Sequence, residues 1–200
     1  MKLPLLSVLS IGLLFNSCAQ APKKEVKKPE IVQIQTQFEL QDFLKESKDL
    51  DAAVEKVFAS LDDTAIVAQL IMPAVGRLGQ EKTTIDQHIK NRIIGGVLML
   101  NGTKDGFKSW ITDFEAQNKK YGNLPFLYSA DAEPSLVNRK IMGSTPVKKA
   151  NEMQSIEEVR NCAQIISKDL NEIGINYNFS PVVDMSPNAT VGFRSFGAVP

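Results

Sequence analysis

Cysteine is scarce in this 200-residue chain: Cys18 and Cys162 are the only two, too few for a disulfide framework. An excess of charge of either sign is missing as well. Lys plus Arg number 23 and Asp plus Glu 23, so no basic surplus exists to release counterions, and nucleic acid is not expected as a main partner. No glycine-rich phosphate fingerprint follows a strand candidate, which weakens a nucleotide-binding reading. His88 is the single histidine, no Cys/His cluster has metal-ligand spacing, and no serine nucleophile elbow occurs. No metal and no cofactor are therefore expected. What is present is globular material: 43% hydrophobic and 23% charged residues, with 10 Phe for a core.

The N-terminus reads as an address. Residues 1–17 carry one early Lys and then an apolar run from Leu5 to Phe15. That run is too short to span a bilayer but fits the core of a signal peptide. It ends at Phe15-Asn16-Ser17-Cys18, a small residue followed by Cys, as in a bacterial lipobox. Cleavage before Cys18 would leave its thiol for lipidation, with plain secretion as the alternative. Residues 18–35 are polar, lysine-rich and punctuated by prolines, and read as a flexible tether. The expected location is the bacterial cell envelope, held to a membrane by a lipid anchor. Lipidation would leave Cys162 as the free thiol, and its helical surroundings make it a small core residue.

From residue 36 to 200 helices and strands take turns. Apolar residues recur at helical spacing from Phe38 to Phe58. Ser60-Leu61-Asp62-Asp63 has the capping-box form and opens a short helix running into a strand candidate, Leu70 to Val75. Thr83-Thr84-Ile85-Asp86 offers a second box, for a helix reaching toward Arg92 and carrying His88, a surface or core-edge residue. Gly95 to Leu100 lacks polar alternation, as a parallel strand buried on both faces does. Phe107, Trp110, Ile111 and Phe114 mark the inner face of another helix. Leu124 to Ala130 is the next buried strand, ending at Asp131. Ser155-Ile156-Glu157-Glu158 is the clearest box. The helix behind it carries Ile156, Val159, Ala163, Ile166, Leu170 and Ile173 in one stripe and stops at Gly174. Ile175 to Phe179 alternates, and Ser180-Pro181-Val182-Val183-Asp184 ends in an acid.

This alternation defines an α/β class with parallel strands joined by right-handed crossovers. An open doubly wound sheet and a closed (β/α)8 TIM-type barrel both fit it. Polar residues gather just after strands, at Asn101, Asp131, Glu133, Asp184 and Arg194. Barrels build their active sites at those ends, which favours the barrel. A barrel takes ~250 residues and only about four or five strands are countable, so the chain reads as the N-terminal part of one.

Five motifs occur in a telling order. They are Gly95-Gly96 opening a strand, then Asp131-Ala132-Glu133 with Arg139 behind it, then Gly174-Ile175-Asn176, Pro181-Val182-Val183-Asp184 and Arg194-Ser195-Phe196-Gly197. Over residues from about 60 to 200 this order resembles the N-terminal barrel domain of glycoside hydrolase family 3. The family's Asp-x-Glu-Gly-Gly is met here by Pro134-Ser135 in place of the glycines. Proline restricts that turn and removes a donor, so a reshaped loop beside the sugar is expected. The Arg-Ser-Phe-Gly ending is closer to the β-N-acetylglucosaminidase branch than to the β-glucosidase branch.

The resemblance implies hydrolysis of terminal β-linked sugars with retention, and a carbohydrate substrate. It places Asp131, Arg139 and Arg194 against the sugar, and Asp184 is read as a support that orients one of the arginines rather than touching the sugar. A carboxylate suits paired hydroxyls and a guanidinium fork suits vicinal oxygens. The same residues also admit plainer roles: Asp131 as a strand-end cap, and Arg139 in an ion pair with Glu133 that braces the loop. The family's nucleophile and acid/base are expected beyond residue 200, so no catalytic residue is assigned within the chain. The rival readings are a non-catalytic glycan-binding lipoprotein and an unrelated α/β lipoprotein.

Overall fold

The computed structural model describes residues 31–32, 34, 37–183, 185 and 191–196. The expected signal peptide, Cys18 and Asp184 lie outside the described residues. Two helices open the described chain, α1 (Leu40–Phe43) and α2 (Lys48–Phe58), followed by α3 (Asp63–Ala68), β1 (Ala74–Val75) and α4 (Lys82–Asn91). Then come β2 (Gly96–Met99), β3 (Gly102–Thr103), α5 (Lys104–Tyr121), β4 (Leu127–Ala130), α6 (Val137–Lys140) and β5 (Ile141–Met142). A 3-10 turn at Ala150–Glu152, α7 (Ile156–Ile173), β6 (Tyr177–Asn178) and a second 3-10 turn at Gly192–Arg194 complete it.

The main sheet is parallel throughout, in the order β1-β2-β4-β6. Each new strand joins the same edge, in chain order. A doubly wound sheet instead reverses its order at a switch point. Growth in one direction is how a barrel wall is laid, and the four strands are an arc of a (β/α)8 TIM-type barrel. Beyond the C-terminal ends of β2 and β4, β3 and β5 pair in a separate two-stranded ribbon, Gly102 opposite Ile141 and Thr103 opposite Met142. That ribbon ties together the two loops that rise from the C-terminal end of the wall.

Helices α4, α5 and α7 pack side by side over one face of the sheet. Between them lie Val75, Val97, Met99, Phe126, Tyr128 and Ala130 from the strand region and Ile85, Ile89, Phe107, Ile111, Phe114, Ile166, Leu170 and Ile173 from the helices. Cys162 is buried in this core, as expected of a small apolar residue, and burial pushes its thiol pKa up. The other face is less covered, because a four-strand arc does not close on itself. Leu127 is 48% exposed there, so the expectation of burial on both faces fails at that position. The Gly95-Gly96 pair has a direct reason: a Cβ on Gly95 would stand 2.6 Å from Gln69 Cα, and one on Gly96 2.5 Å from the Leu127 carbonyl. Only glycine allows the backbone to approach so closely.

Several boundaries differ from expectation. The helical stretch from Phe38 to Phe58 is broken after Phe43, because Ser47 caps a new helix by accepting from the Leu50 amide. In the first capping box the cap is Asp62, which accepts from Ala65 N at 2.8 Å. Ser60 instead donates to the Val57 carbonyl and accepts from Val32 N. Helix α4 starts one residue before the expected box and ends at Arg92 in the left-handed conformation. Ser155 caps α7 as expected and Gly174 ends it at φ 95°. The stripe on α7 is buried only over its later turns: Ile156 is 78% exposed and Val159 40%. The first strand is shorter than expected, reduced to Ala74–Val75.

Candidate active-site face

β4 delivers Asp131, Ala132 and Glu133 past its C-terminal end, and two asparagines following α7 hold that segment straight. Asn176 accepts from Tyr128 N and donates to the Phe126 carbonyl. Two residues on, Asn178 accepts from Ala132 N at 3.0 Å and donates to the Ala132 carbonyl at 3.4 Å. These amides extend the ladder between β4 and β6 beyond its short backbone register. Asn178 clamps Ala132, the one residue that separates the two acids.

Each acid has its own cation. Asp131, whose side chain is 34% exposed, forms an ion pair with Lys140 at the end of α6. Glu133 is fully buried, and its Oε1 accepts from Arg194 Nε at 2.8 Å. Its second oxygen, Oε2, is buried with no hydrogen-bond partner among the described residues. With Nε engaged, the two terminal nitrogens of Arg194 make no hydrogen bond to a described residue, and the side chain is 39% exposed. A half-buried guanidinium whose outer edge meets no described residue is suited to two neighbouring oxygens.

Arg139 lies apart from both pairs. It is exposed on α6 and lines a cavity of about 320 Å³ with Ser135, Lys149 and Phe193. The plainer expectation, that it pairs with Glu133, is corrected: Arg194 takes that place from 61 residues away. The structure therefore joins Asp131 to Lys140 and Glu133 to Arg194 on one loop cluster, and leaves Arg139 on its flank. His88 is half-buried on α4 with Nε2 3.2 Å from Gln80 Oε1, away from this face. Among the described residues no group of His, Cys, Asp and Glu has the arrangement of a metal site, and no helix is long and apolar enough to cross a membrane.

Sequence reasoning missed Lys140, Ser135 and the two asparagines as participants. Lys140 gave no signal beyond following Arg139, and Ser135 registered only as a departure from Gly-Gly. Ser135 in fact joins three segments. Its hydroxyl donates to the Phe193 carbonyl at 2.7 Å and accepts from Ala150 N at 2.9 Å. Lys149, beside Ala150, places its ammonium 5.3 Å from the centre of the Phe193 ring.

Behind this face a second ionic group anchors the loop that follows β5. Asp169 on α7 accepts from Lys104 Nζ at 2.8 Å and from both the amide and the hydroxyl of Thr145. Burial alone would raise the Asp169 pKa. The Lys104 ammonium and the Thr145 donors outweigh it and hold the carboxyl below its ordinary value. The Asp169 and Glu172 carboxylates in turn raise the pKa of Lys104 above its ordinary value.

A parallel wall laid in chain order, with charged pairs gathered past its strand ends, places the chain in the (β/α)8 barrel class, whose enzymes build their sites at that end. The family model described as "Glycosyl hydrolase family 3 N terminal domain" matches residues 63–200, and the chain belongs to that family. It is 30% identical over 120 residues to "Beta-hexosaminidase LpqI" of Mycobacterium tuberculosis (strain ATCC 25618 / H37Rv), a match covering 56% of this chain and 30% of that protein. The protein of the same name from Mycobacterium bovis (strain BCG / Pasteur 1173P2) is 29% identical over the same length. Among solved structures, a glycoside hydrolase family 3 β-N-acetylglucosaminidase from Paenibacillus sp. str. FPU-7 is similar at a TM-score of 0.58 and 26% identity, over 68% of this chain and 28% of that one. The β-glucoside phosphorylase BglX bound to 2FGlc shares the fold at a TM-score of 0.64 and 18% identity, over 77% of this chain and 28% of its own. The matched stretch thus spans under a third of the length of these relatives.

Proposed function

We propose that the full-length protein is a retaining glycosidase that removes terminal β-linked N-acetylglucosamine. The observation that carries this is the Glu133–Arg194 pair set beside Asp131 at the strand ends of the wall, with the outer side of the Arg194 fork bonded to no described residue. In this reading Arg194 holds vicinal oxygens of the sugar. Asp131 accepts from its hydroxyls, with Lys140 orienting that carboxylate through their ion pair. Arg139 reaches the sugar from the flank. Asp184, outside the described residues, supports an arginine. The relatives named for hexosaminidase and N-acetylglucosaminidase activity favour the acetylated sugar over glucose. A retaining mechanism needs a carboxylate nucleophile and a separate acid/base. In this reading both come from segments other than residues 1–200.

Residues 1–17 act as a lipoprotein signal, Cys18 takes the lipid, and residues 18–35 tether residues 36–200 to the cell envelope. The support is the apolar run followed by Ser17-Cys18. Cys18→Ala should then move the protein from the membrane fraction to the soluble one, and unchanged fractionation would reject the anchor.

The decisive test is to assay the full-length protein on aryl β-N-acetylglucosaminide and aryl β-glucoside. Release of the aryl group from the first, with slower release from the second, is expected. A protein that binds N-acetylglucosamine yet leaves the first substrate intact would instead be a glycan-binding barrel.

A further inference from the structure

We infer that Ser135 is a positioning residue for Arg194, and that its hydroxyl sets the angle at which the guanidinium meets the sugar. The inference rests on the sugar-binding reading of Arg194 given above. Arg194 sits on a single 3-10 turn, Gly192–Arg194, whose own backbone bonds are those from Arg194 N to Val191 O and from Ser195 N to Gly192 O. One turn of this kind has little stiffness of its own.

Two residues of the loop after β4 grip consecutive residues of that turn. Glu133 holds Arg194 through Nε, and Ser135 holds the carbonyl of Phe193. The ion pair fixes the side chain at Nε, and Ser195 just beyond it is buried; the Ser135 bond adds a fixed point one residue before Arg194 and so limits how far the turn can pivot. The Ser135 hydroxyl has both a donor and an acceptor role filled, because Ala150 N donates to it. The anchor is therefore itself anchored, to the turn at Ala150–Glu152, and Lys149 adds a cation–π contact to the Phe193 ring from the same side. Alanine would remove both hydrogen bonds without crowding the turn. Threonine would keep the hydroxyl.

This gives residue 135 a function that a bare backbone could not supply: Pro134 stiffens the loop and Ser135 bolts the Arg194 turn to it. The consequence lies in substrate binding. A guanidinium free to swing still reaches the sugar, but the ordering of its fork must occur at binding.

The test uses the full-length protein with the aryl β-N-acetylglucosaminide and four variants: Ser135→Ala, Ser135→Thr, Arg194→Ala, and Ser135→Ala combined with Arg194→Ala. Ser135→Ala is expected to raise KM by about tenfold with kcat changed by less than about threefold, the scale of one lost hydrogen bond near a charge. Ser135→Thr should restore KM to within about threefold of wild type. In the Arg194→Ala background Ser135→Ala should add nothing, the non-additivity of a residue that acts through another. Ser135→Ala that lowers Tm but leaves KM unchanged, while Arg194→Ala raises it, would overturn the inference and leave the sugar site standing. Equal and additive losses in the two backgrounds would also overturn it. Arg194→Ala with wild-type kcat/KM would overturn the sugar-binding reading itself, and the inference with it.

Discussion

Asp169 and Glu133 are both hidden from water and both paired with a cation, yet they are finished to different degrees. Asp169 is 5% exposed and receives Lys104 together with the amide and hydroxyl of Thr145. Glu133 is 1% exposed and receives one nitrogen of Arg194, with its other oxygen unmet among the described residues. A buried charge with all its partners stiffens a fold, whereas one left half-satisfied is a cost to stability. Such groups persist where they serve something other than stability. The Asp169 group fastens α5, α7 and the loop after β5. The Glu133 group aims a guanidinium.

That contrast predicts opposite responses to mutation. The largest effect should come from Asp169→Ala, which leaves the Thr145 amide and hydroxyl without their acceptor and Lys104 with Glu172 alone. A loss of about 3 kcal/mol is expected in urea unfolding, with KM unaffected. Glu133→Gln should do the reverse. It keeps the shape and relieves a buried charge, while Arg194 can turn to solvent, so unfolding should shift by less than about 1 kcal/mol. The kcat/KM should nevertheless fall by about tenfold as Arg194 loses its aim. If Glu133→Gln cost as much stability as Asp169→Ala and spared kinetics, the distinction between the two carboxylates would collapse.

A smaller effect sharpens the same contrast through pH. The Asp169 pKa is depressed in the folded state, so its contribution is present above the unfolded value near 3.8 and is lost as pH falls through the folded one. Stability curves of wild type and Asp169→Asn should therefore converge below about pH 4, and parallel curves would deny the linkage. The smallest effect is expected at Lys82, which pairs with Asp86 and Asp113 on the outside of α4 and α5. Lys82→Met should cost less than about 1 kcal/mol by thermal unfolding, since ion pairs this open to solvent contribute little.

What the sequence disclosed and what it hid follow a physical line. Helices α5 and α7 were legible because their apolar stripes, caps and stops are local: Ser155, Gly174, and Phe107 through Phe114. Strand β2 was legible as a continuously apolar run and β4 as a mostly apolar one, and the glycine pair at the start of β2 as a motif. The break at Ser47 was obscured because apolar spacing continues across it. The choice of Asp62 over Ser60 depended on a contact with Val32, 28 residues away. In the candidate site the acids and arginines stood out as residue types at strand ends, but their partners did not. The Glu133–Arg194 pair spans 61 positions, and Ser135 to Phe193 spans 58. No local pattern carries a pairing of that range. Asn176 and Asn178 show the intermediate case. Asn176 closed the recognisable Gly174-Ile175-Asn176 motif and Asn178 lay in the alternating run after it, while their role as amide rungs between strands needed β4 in place beside them.

The agreement between chain order and strand order in the wall has a kinetic consequence. Each strand of the set β1-β2-β4-β6 finds its neighbour already emerged when it leaves the ribosome, with an intervening helix to cover the seam. Pairing then never waits for a distant segment, and each unit can dock on the last as synthesis proceeds. The growing edge passes from strand to strand, so at every stage one row of backbone groups awaits the next arrival. A pause in translation between Ala130 and Tyr177 would expose the β4 edge for as long as the pause lasts, making that interval the one in which a chaperone or a second nascent chain would compete with β6.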